Sequence, residues 1–387
     1  MQRIYLDYAA STPVDEDVLK AMMPYFSEIY GNPSSVHAFG QEAQAAVDKA
    51  RAQIAGVLGC LSQEVIFTGS ATEANNLAIL GVLREAIKKV KGAHVVTSQI
   101  EHESVLEPLA YAEKELGVRV THLPVTKEGL VRPEDVKKAL SAETVLVSII
   151  YANNEIGTIQ PIGEISKVVA AYKKSAGGEY PYLHTDAAQA AYSLPLRVAD
   201  MGVDMMTISG HKIHAPKGVG LLYAKKGMRL APVLFGSGHE YGKRSSTENV
   251  PYIVGLARAL SGAAAHLYIS RIRELRDYFI SETLRKIEGT SLNGSTESRL
   301  PTNANILFRG VSAADLIMML DMEGIAVSAG SACQSKALAE SHVLSAIGLS
   351  KKDAKSSVRF SFGKYTTKED VDRVVAVLVK LVNRFTK

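Results

Sequence analysis

Short apolar runs alternate with amphipathic stretches from about residue 60 of this chain onward. In ATEANNLAILGVLREAIKKV from Ala71 and SVLEPLAYAEKELG from Ser104, apolar residues recur at helical spacing. The runs that are typical of buried strands are VIFTGS, AHVVTSQI, TVLVSIIYANN, YLHTDA and VDMMTISG. Continuously apolar strands separated by helices predict an α/β fold, with a mainly parallel sheet that helices cover on both faces.

The alternation fades near residue 255. One long helix is expected from about Val254 to Ile287, and after it come the strand-like runs NILFRG and SVRFSF with helices between and beyond them. This order is typical of a smaller α+β domain.

Three parts of the chain are therefore expected. Residues 1–14 form an N-terminal arm that packs with the small domain, and residues 15–260 form the large domain. Residues 261–387 form the small domain, which carries a mobile loop with Cys333.

Composition narrows the class of protein. The chain has 387 residues, of which 47% are hydrophobic, so it can bury a large core, and disorder is not expected. The net charge is only +4 and the two signs alternate, so no direct nucleic-acid contact is expected. No apolar run approaches the ~18 residues that span a membrane, and MQRIYLDYAASTP lacks the pattern of a signal peptide. With two cysteines, Cys60 and Cys333, a reduced cytoplasmic location is expected.

Lys212 follows the apolar strand VDMMTISG, inside the run SGHKIHAPKG. A lysine amine becomes nucleophilic when burial lowers its pKa, which suits a Schiff base. Spacing alone favours the alternative, a lysine that extends along the surface with its charge in water.

The run TGSATEANN places a strand end directly before a helix. Ser70 and Thr72 supply hydroxyls where the first helical N–H groups have no partner, which is typical of an anion site. The same spacing also fits a capping box, with Ser70 as the N-cap and Glu73 three residues later.

Further polar residues end other strands. Asp186, in LHTDAAQA, is a candidate acidic partner for a pyridine nitrogen, and the alternative is a helix-capping aspartate. His102 in SQIEHES and Asn153 and Asn154 in YANNEIG also fit loop or turn positions. Ligands of open α/β sheets bind outside the carboxyl ends of the strands, so these residues predict one site.

The two cysteines differ in their surroundings. Cys333 lies in SAGSACQS among small residues, where a positive group nearby would favour a reactive thiolate. Cys60, in GVLGCLSQE, is typical of a small buried hydrophobic residue. No CxxC or HExxH spacing occurs, so no metal site is expected, and GSGHEYGKRSS does not have the spacing of a phosphate-binding loop.

Taken together, these motifs resemble the NifS/IscS-like cysteine desulfurases, in the class V aminotransferase group of pyridoxal phosphate (PLP) enzymes. The resemblance covers nearly the whole chain and implies the aspartate aminotransferase-like fold. The motifs, in the family's order, are YLDYAASTP, YGNPSSVH, TGSATEANN, EHESV, NNEIGT, DAAQ, SGHKIHAPKG and SAGSACQS.

The resemblance also implies roles for single residues. Lys212 is the Schiff-base lysine, His102 stacks on the pyridine ring, and Asp186 pairs with the ring nitrogen. Gln189 contacts the ring hydroxyl, and Asn154 and Arg359 bind the substrate carboxylate. Phosphate contacts come from Ala71, Thr72, Ser209 and His211, and from Thr247 of the other subunit of a homodimer.

The implied reaction converts L-cysteine to L-alanine and leaves a persulfide on Cys333. A sulfur-acceptor protein, either an iron–sulfur scaffold or a tRNA-thiolation carrier, would then take the sulfur. The long loop around Cys333 resembles the IscS-like rather than the SufS-like branch. Ser237 and Ser246 stand where glycine is usual. An aminotransferase or a selenocysteine lyase is an alternative in the same fold, and a degenerate relative that only binds other proteins is a third.

Overall fold

The structure is a computed structural model that describes residues 3–262, 264–330 and 341–385. Cys333 lies outside the described residues. The strands are β1 (Ile4–Tyr5), β2 (Val65–Thr68), β3 (His94–Ser98), β4 (Arg119–Leu123), β5 (Thr144–Ser148), β6 (Tyr182–Asp186), β7 (Met205–Ser209), β8 (Gly220–Ala224), β9 (Thr290–Leu292), β10 (Asn303–Phe308), β11 (Ile325–Ala326) and β12 (Ser357–Ser361).

Helices follow most of these strands. They are α1 (Glu16–Met22), α2 (Pro24–Ser27), α3 (Ala38–Leu58), α4 (Ala71–Ala86), α5 (Glu103–Leu116), α6 (Pro133–Ala139), α7 (Ile162–Ala176), α8 (Val198–Met201), α9 (Val250–Ser261), α10 (Ala264–Lys286), α11 (Ala313–Met322), α12 (His342–Ala346), α13 (Lys351–Ala354) and α14 (Lys368–Phe385).

The central sheet has seven strands in the order β2-β8-β7-β6-β5-β3-β4. The four pairs from β7 to β4 are parallel, and β8 is antiparallel to both of its neighbours. Apolar side chains of α4 and α5 belong to one core cluster against this sheet, and those of α3, α7 and α9 belong to another. Helices therefore cover both faces of this sheet, as buried parallel strands require. The predicted α/β fold with a mainly parallel sheet is confirmed.

A second, antiparallel sheet has the order β12-β10-β9 and lies with α10, α11 and α14 around its own apolar cluster. The arm strand β1 pairs with β11 in parallel, and Ile4 and Leu6 join the same cluster. The division at residues 14 and 260 stays a prediction.

The expectation of one helix from Val254 to Ile287 is wrong. Helix α9 ends at Ser261, and α10 begins at Ala264. Gly262 takes an extended conformation, with φ −66° and ψ 105°, which cannot continue a helix.

The alternation of side chains along β12 determines which face Arg359 occupies. Its neighbours Val358 and Phe360 are fully buried in the cluster of the second sheet, and Phe279 of α10 packs on Phe360 with ring centroids 4.7 Å apart. Successive side chains of a strand point to opposite faces, so Arg359 points away from this cluster. In the part of the chain that the structure describes, no helix is long and apolar enough to cross a membrane.

Replacing Phe279 with alanine should destabilise the second sheet. The Phe279 side chain is fully buried, so the substitution leaves a cavity, and it should lower the free energy of unfolding by about 3–5 kcal/mol. Urea denaturation followed by circular dichroism measures this change. Met322→Ala, at a side chain that is 79% exposed on α11, is the control and should change stability by less than about 0.5 kcal/mol. Equal stability of both variants would contradict the packing described here.

Candidate active site

The carboxyl ends of several strands meet at one cavity of about 160 Å³. Strands β3, β5, β6 and β7 are parallel, and β2 runs in the same direction as β7 because both are antiparallel to β8. Their C-terminal ends therefore share an edge of the sheet. The predicted site residues that line this cavity are Ala71, Thr72, His102, Asn154, Asp186, Gln189, Ser209, His211, Lys212 and Arg359.

Two predicted residues are not in this group. Thr247 lines a different cavity, of about 190 Å³, together with Thr68 and Gly69 of the turn that precedes α4. Cys333 lies outside the described residues, so the structure places neither its thiol nor its neighbours in SAGSACQS beyond Gly330.

Lys212 ends a single 3-10 turn, Gly210–Lys212, that directly follows β7. Its Nζ donates hydrogen bonds to the carbonyl oxygens of Ala9 at 2.6 Å and Ala10 at 2.8 Å. The side chain is only partly exposed and lines the cavity, so it does not extend into solvent as the alternative interpretation required.

Asp186 is 4% exposed at the end of β6 and is held by a hydrogen-bonded chain. Asn75 of α4 donates through Nδ2 to Asp186 Oδ2 at 2.7 Å and to Ser104 Oγ at 2.8 Å. Ser104 Oγ in turn lies 2.8 Å from His102 Nδ1. This chain connects Asp186 to His102 and fixes both side chains at the cavity.

The capping alternatives are also present in the structure. Asp186 Oδ1 accepts from the N–H of Ala188 at 2.9 Å, and His102 is the N-cap of α5. Capping and ligand binding therefore do not exclude each other at these strand ends.

The start of α4 lies against the sheet. Ser70 is the N-cap, and its Oγ accepts from the N–H of Glu73 at 3.1 Å, as the capping pattern predicts. Glu73 Oε2 accepts from the N–H of Gly69, one residue earlier than in a capping box. A Cβ on Gly220 would lie only 2.9 Å from the Ala71 nitrogen. The absence of a side chain at Gly220 thus allows this helix N-terminus to reach the cavity.

Arg359 is the largest fully buried side chain at the site, with 1% exposure. Its Nη1 donates to the carbonyl oxygen of Asn154 at 3.0 Å, and its Nη2 donates to Asp7 Oδ1 at 3.0 Å. Its Nε is buried and makes no hydrogen bond to any residue in the described ranges. A buried guanidinium with an unused donor is suited to a planar anion such as a carboxylate.

The N-terminal arm contributes contacts that strand-end reasoning missed. Ala9 and Ala10 line the cavity, and Gln189 Nε2 donates to the Ala9 carbonyl oxygen at 2.9 Å. Ser11 Oγ lies 3.3 Å from His211 Nδ1. These residues belong to the motif YLDYAASTP, which carried the resemblance without any assigned role. Reasoning from strand ends also missed Asn75 and Ser104, because both residues lie in helices.

Burial shifts the pKa of several groups near the cavity. Burial, followed by the positive charges of Lys212 and Lys217, lowers the pKa of His211 to about 4. Burial raises the pKa of Glu101, which precedes His102, to about 8. Cys60 is remote from these residues in the chain, and burial raises the pKa of its thiol to about 12, so it is a poor nucleophile.

Comparison with known proteins identifies the class of this chain. Residues 4–374 match the family model "Aminotransferase class-V". Cysteine desulfurase IscS of Dictyoglomus turgidum is 46% identical over 385 residues, which cover 99% of this chain and 95% of that protein. Putative cysteine desulfurase IscS 1 of Bacillus subtilis is 43% identical, with full coverage of both chains.

Solved structures agree with this class. A NifS-like protein superimposes with a TM-score of 0.90 at 35% identity, over 99% of this chain and 100% of the other. A structure described as SspA in complex with cysteine superimposes with a TM-score of 0.81 at 36% identity, over 95% and 100% of the two chains.

The chain therefore belongs to the class-V aminotransferase family, whose members depend on PLP. Within that family it belongs with the IscS- and NifS-like cysteine desulfurases, as the motifs predicted. The aspartate aminotransferase-like fold is likewise confirmed.

The cavity fits PLP on its own chemistry. The carboxylate of Asp186 could pair with a protonated ring nitrogen, and the amine of Lys212 lies in the same cavity. The N-terminus of α4 and the side chains of Thr72, Ser209 and His211 supply hydrogen-bond donors for a phosphate.

Acid should destabilise this protein through a histidine beneath the site. His184, two residues before Asp186, is fully buried, and burial lowers its pKa to about 4. An unfolded-chain histidine, with a pKa of ~6.5, takes up a proton first as pH falls. Stability should therefore be complete above about pH 6.5 and fall toward about pH 4, by a few kcal/mol at most, at about 1.4 kcal/mol for each pKa unit.

Urea denaturation at several pH values measures this dependence. His184→Asn should flatten the loss between about pH 6.5 and pH 4, because asparagine takes up no proton in this range. His122→Asn, at an exposed side chain on β4, is the control and should leave the pH dependence unchanged. An unchanged slope in His184→Asn would contradict the assignment.

Proposed function

We propose that this protein removes sulfur from L-cysteine, releases L-alanine and carries the sulfur as a persulfide on Cys333. The observation that carries the proposal is the convergence of Lys212, Asp186, His102 and Arg359 on one cavity. Relatives named cysteine desulfurase IscS support the same activity. A structural relative described as a complex with cysteine supports the substrate.

Each cavity residue receives one task in this proposal. Asp186 would pair with the ring nitrogen of PLP, Gln189 would bind the ring hydroxyl, and His102 would stack on the ring. Thr72, Ser209 and His211 and the N–H of Ala71 would hold its phosphate. When bound, PLP supplies an electron sink for negative charge at the substrate Cα.

Lys212 and Arg359 act on the substrate itself. The guanidinium of Arg359, together with Asn154, holds the substrate carboxylate, which fixes the direction of the Cα–H bond. Lys212 Nζ takes the Cα proton and later returns a proton to carbon. Its hydrogen bonds to Ala9 and Ala10 hold the amine in the cavity between these events.

Sulfur transfer requires a thiolate that can reach this cavity. Ser328 lies five residues before Cys333. Its backbone N–H and carbonyl oxygen form hydrogen bonds with the backbone of Arg359. Five residues of extended chain span at most about 17 Å, and the proposal requires the Cys333 thiolate to meet the substrate sulfur within that length. The Cys333 thiolate attacks the substrate sulfur, a sulfur–sulfur bond forms and the Cβ–S bond breaks. The electron pair stays with the carbon skeleton, which is protonated and leaves as alanine.

The site is proposed to be completed in a homodimer. Thr247 is exposed, and its cavity contains the Thr68–Gly69 turn that precedes α4. Large apolar side chains are exposed nearby in sequence, at Leu234, Phe235 and Tyr241. Exposed apolar clusters are typical of protein interfaces, and Thr247 would reach the phosphate of the partner's PLP across this interface.

The acceptor of the sulfur is proposed to be a protein, either an iron–sulfur scaffold or a tRNA-thiolation carrier. A persulfide is itself reactive, so direct transfer between proteins protects the sulfur from loss. The cytoplasmic location stays a prediction.

Replacing Cys333 with alanine should abolish sulfur transfer. Without the nucleophile, alanine and sulfide release from L-cysteine in the presence of a reductant should fall at least about 100-fold. The control Cys60→Ala removes the other thiol and should retain wild-type rates. Mass spectrometry of wild-type protein after one turnover should find one added sulfur atom on the Cys333 peptide. Wild-type release by Cys333→Ala would refute the persulfide mechanism.

Thr247→Ala tests the shared site. Light scattering of the wild-type protein should give the mass of two chains, and Thr247→Ala should bind PLP more weakly, by about 1 kcal/mol for one lost hydrogen bond. Because Thr247 acts across the interface, mixed dimers of Thr247→Ala and Lys212→Ala chains should contain one site with every residue intact and one inactive site. Weak PLP binding at the site that retains Lys212 would instead place Thr247 in its own subunit's site. A monomer of wild-type activity would contradict this proposal.

A further inference from the structure

Arg359 has more hydrogen-bond donors than the described contacts use. A guanidinium carries five N–H donors in a planar fork, and two bonds are recorded here, to Asn154 and to Asp7. Its Nε makes no bond within the described part of the chain, although the side chain is 99% buried. The orientation of the fork therefore decides whether its unused donors face a ligand in the cavity.

Asp7 is the acidic partner of this fork. Its Oδ1 accepts from Arg359 Nη2 at 3.0 Å, and its Oδ2 accepts from Ser328 Oγ at 2.8 Å. The Asp7 side chain is itself only 15% exposed. Both carboxylate oxygens are thus engaged, which leaves the Asp7 side chain little freedom to turn.

The backbone around Asp7 is also fixed. Asp7 forms a parallel bridge with Ser361, two residues after Arg359, and Ser361 N donates to the Leu6 carbonyl oxygen at 2.7 Å. The carbonyl oxygen of Asp7 accepts from the N–H of Ala10 at 2.9 Å, which shapes the turn that lines the cavity. Asp7 is therefore a rigid support beside β12 and not a side chain on a loose terminus.

We propose that Asp7 is a positioning residue that orients the Arg359 guanidinium for the substrate carboxylate. It does not touch the substrate, because it lies beside the fork and does not line the cavity. It holds one Nη nitrogen on the arm side while the Asn154 carbonyl holds the other. The proposal rests on the proposed function, in which Arg359 binds the carboxylate of cysteine.

The charge of Asp7 has a second effect on the same group. An arginine that is buried without an anionic neighbour is costly, and the ion pair recorded for Arg359 in the described ranges is the one with Asp7. The pair keeps the guanidinium in place before any substrate arrives. The carboxylate of the substrate then meets a fork that is already oriented, which reduces the loss of side-chain freedom on binding.

The test compares two ligands that differ only in the carboxylate. L-Alanine and ethylamine are titrated into PLP-loaded Asp7→Ala protein, and the absorbance change of the bound cofactor gives their dissociation constants. Loss of the oriented fork should weaken L-alanine binding about tenfold or more, and ethylamine binding should change by less than about twofold. With cysteine as substrate, KM should rise while kcat stays within about threefold.

Asp7→Asn and Asp15→Ala complete the design. An asparagine keeps an oxygen acceptor for Arg359, so L-alanine affinity should lie between those of wild type and Asp7→Ala. Asp15 also connects the N-terminal segment to the segment after β12, through Lys364 and Tyr365, but does not line the cavity. Asp15→Ala should leave both affinities unchanged.

The outcomes separate this inference from the function beneath it. Unchanged L-alanine affinity in Asp7→Ala, equal losses for both ligands, or an Asp7→Asn protein as weak as Asp7→Ala would overturn the role of Asp7. Arg359→Lys, which keeps the charge but not the fork, tests the proposed function. If Arg359→Lys binds L-alanine as wild type does, the carboxylate site itself is misassigned. If Arg359→Lys weakens L-alanine binding but Asp7→Ala does not, the proposed function is supported and the positioning role of Asp7 is wrong.

Discussion

Hydrogen bonding between parallel strands is the constraint on which the site depends. Because β3, β5, β6 and β7 run in one direction, their carboxyl ends stop at one edge, and the residues that follow each strand must meet there. Asp186, Ser209 and His102 are distant in the chain and close in space for this reason alone. Helix α4 then begins at the same edge and adds donors from its N-terminus.

The second sheet and the N-terminal arm also contribute residues to the cavity at this edge. Strand β12 carries Arg359 with its neighbours buried in the second core, and residues of the arm form hydrogen bonds with Lys212, Gln189 and His211. The arm contributes mostly backbone carbonyl oxygens, which are insensitive to side-chain identity. A contact of this kind leaves no signature in residue type, so its chemical role is visible only in three dimensions.

Much of the site was predictable from the positions of polar residues at strand ends. Lys212, Asp186 and His102 each had an ordinary alternative explanation, and Asp186 and His102 in fact cap the segments that follow them. The hydrogen-bonded chain from Asp186 through Asn75 and Ser104 to His102 was not predicted. Its members lie on α4 and α5, and only helix packing against the sheet brings their side chains within 3 Å.

The sequence by itself determined the class of fold, the family, the PLP dependence and the strand-end residues of the site. These follow from hydrophobic periodicity and motif order, which are local properties of the chain. Tertiary structure alone decided how Arg359 is oriented, that Asp7 supports it, and that Thr247 lies in a different cavity from Lys212. Such contacts join residues that are up to 352 positions apart, and spacing along a chain carries no information about pairs so distant.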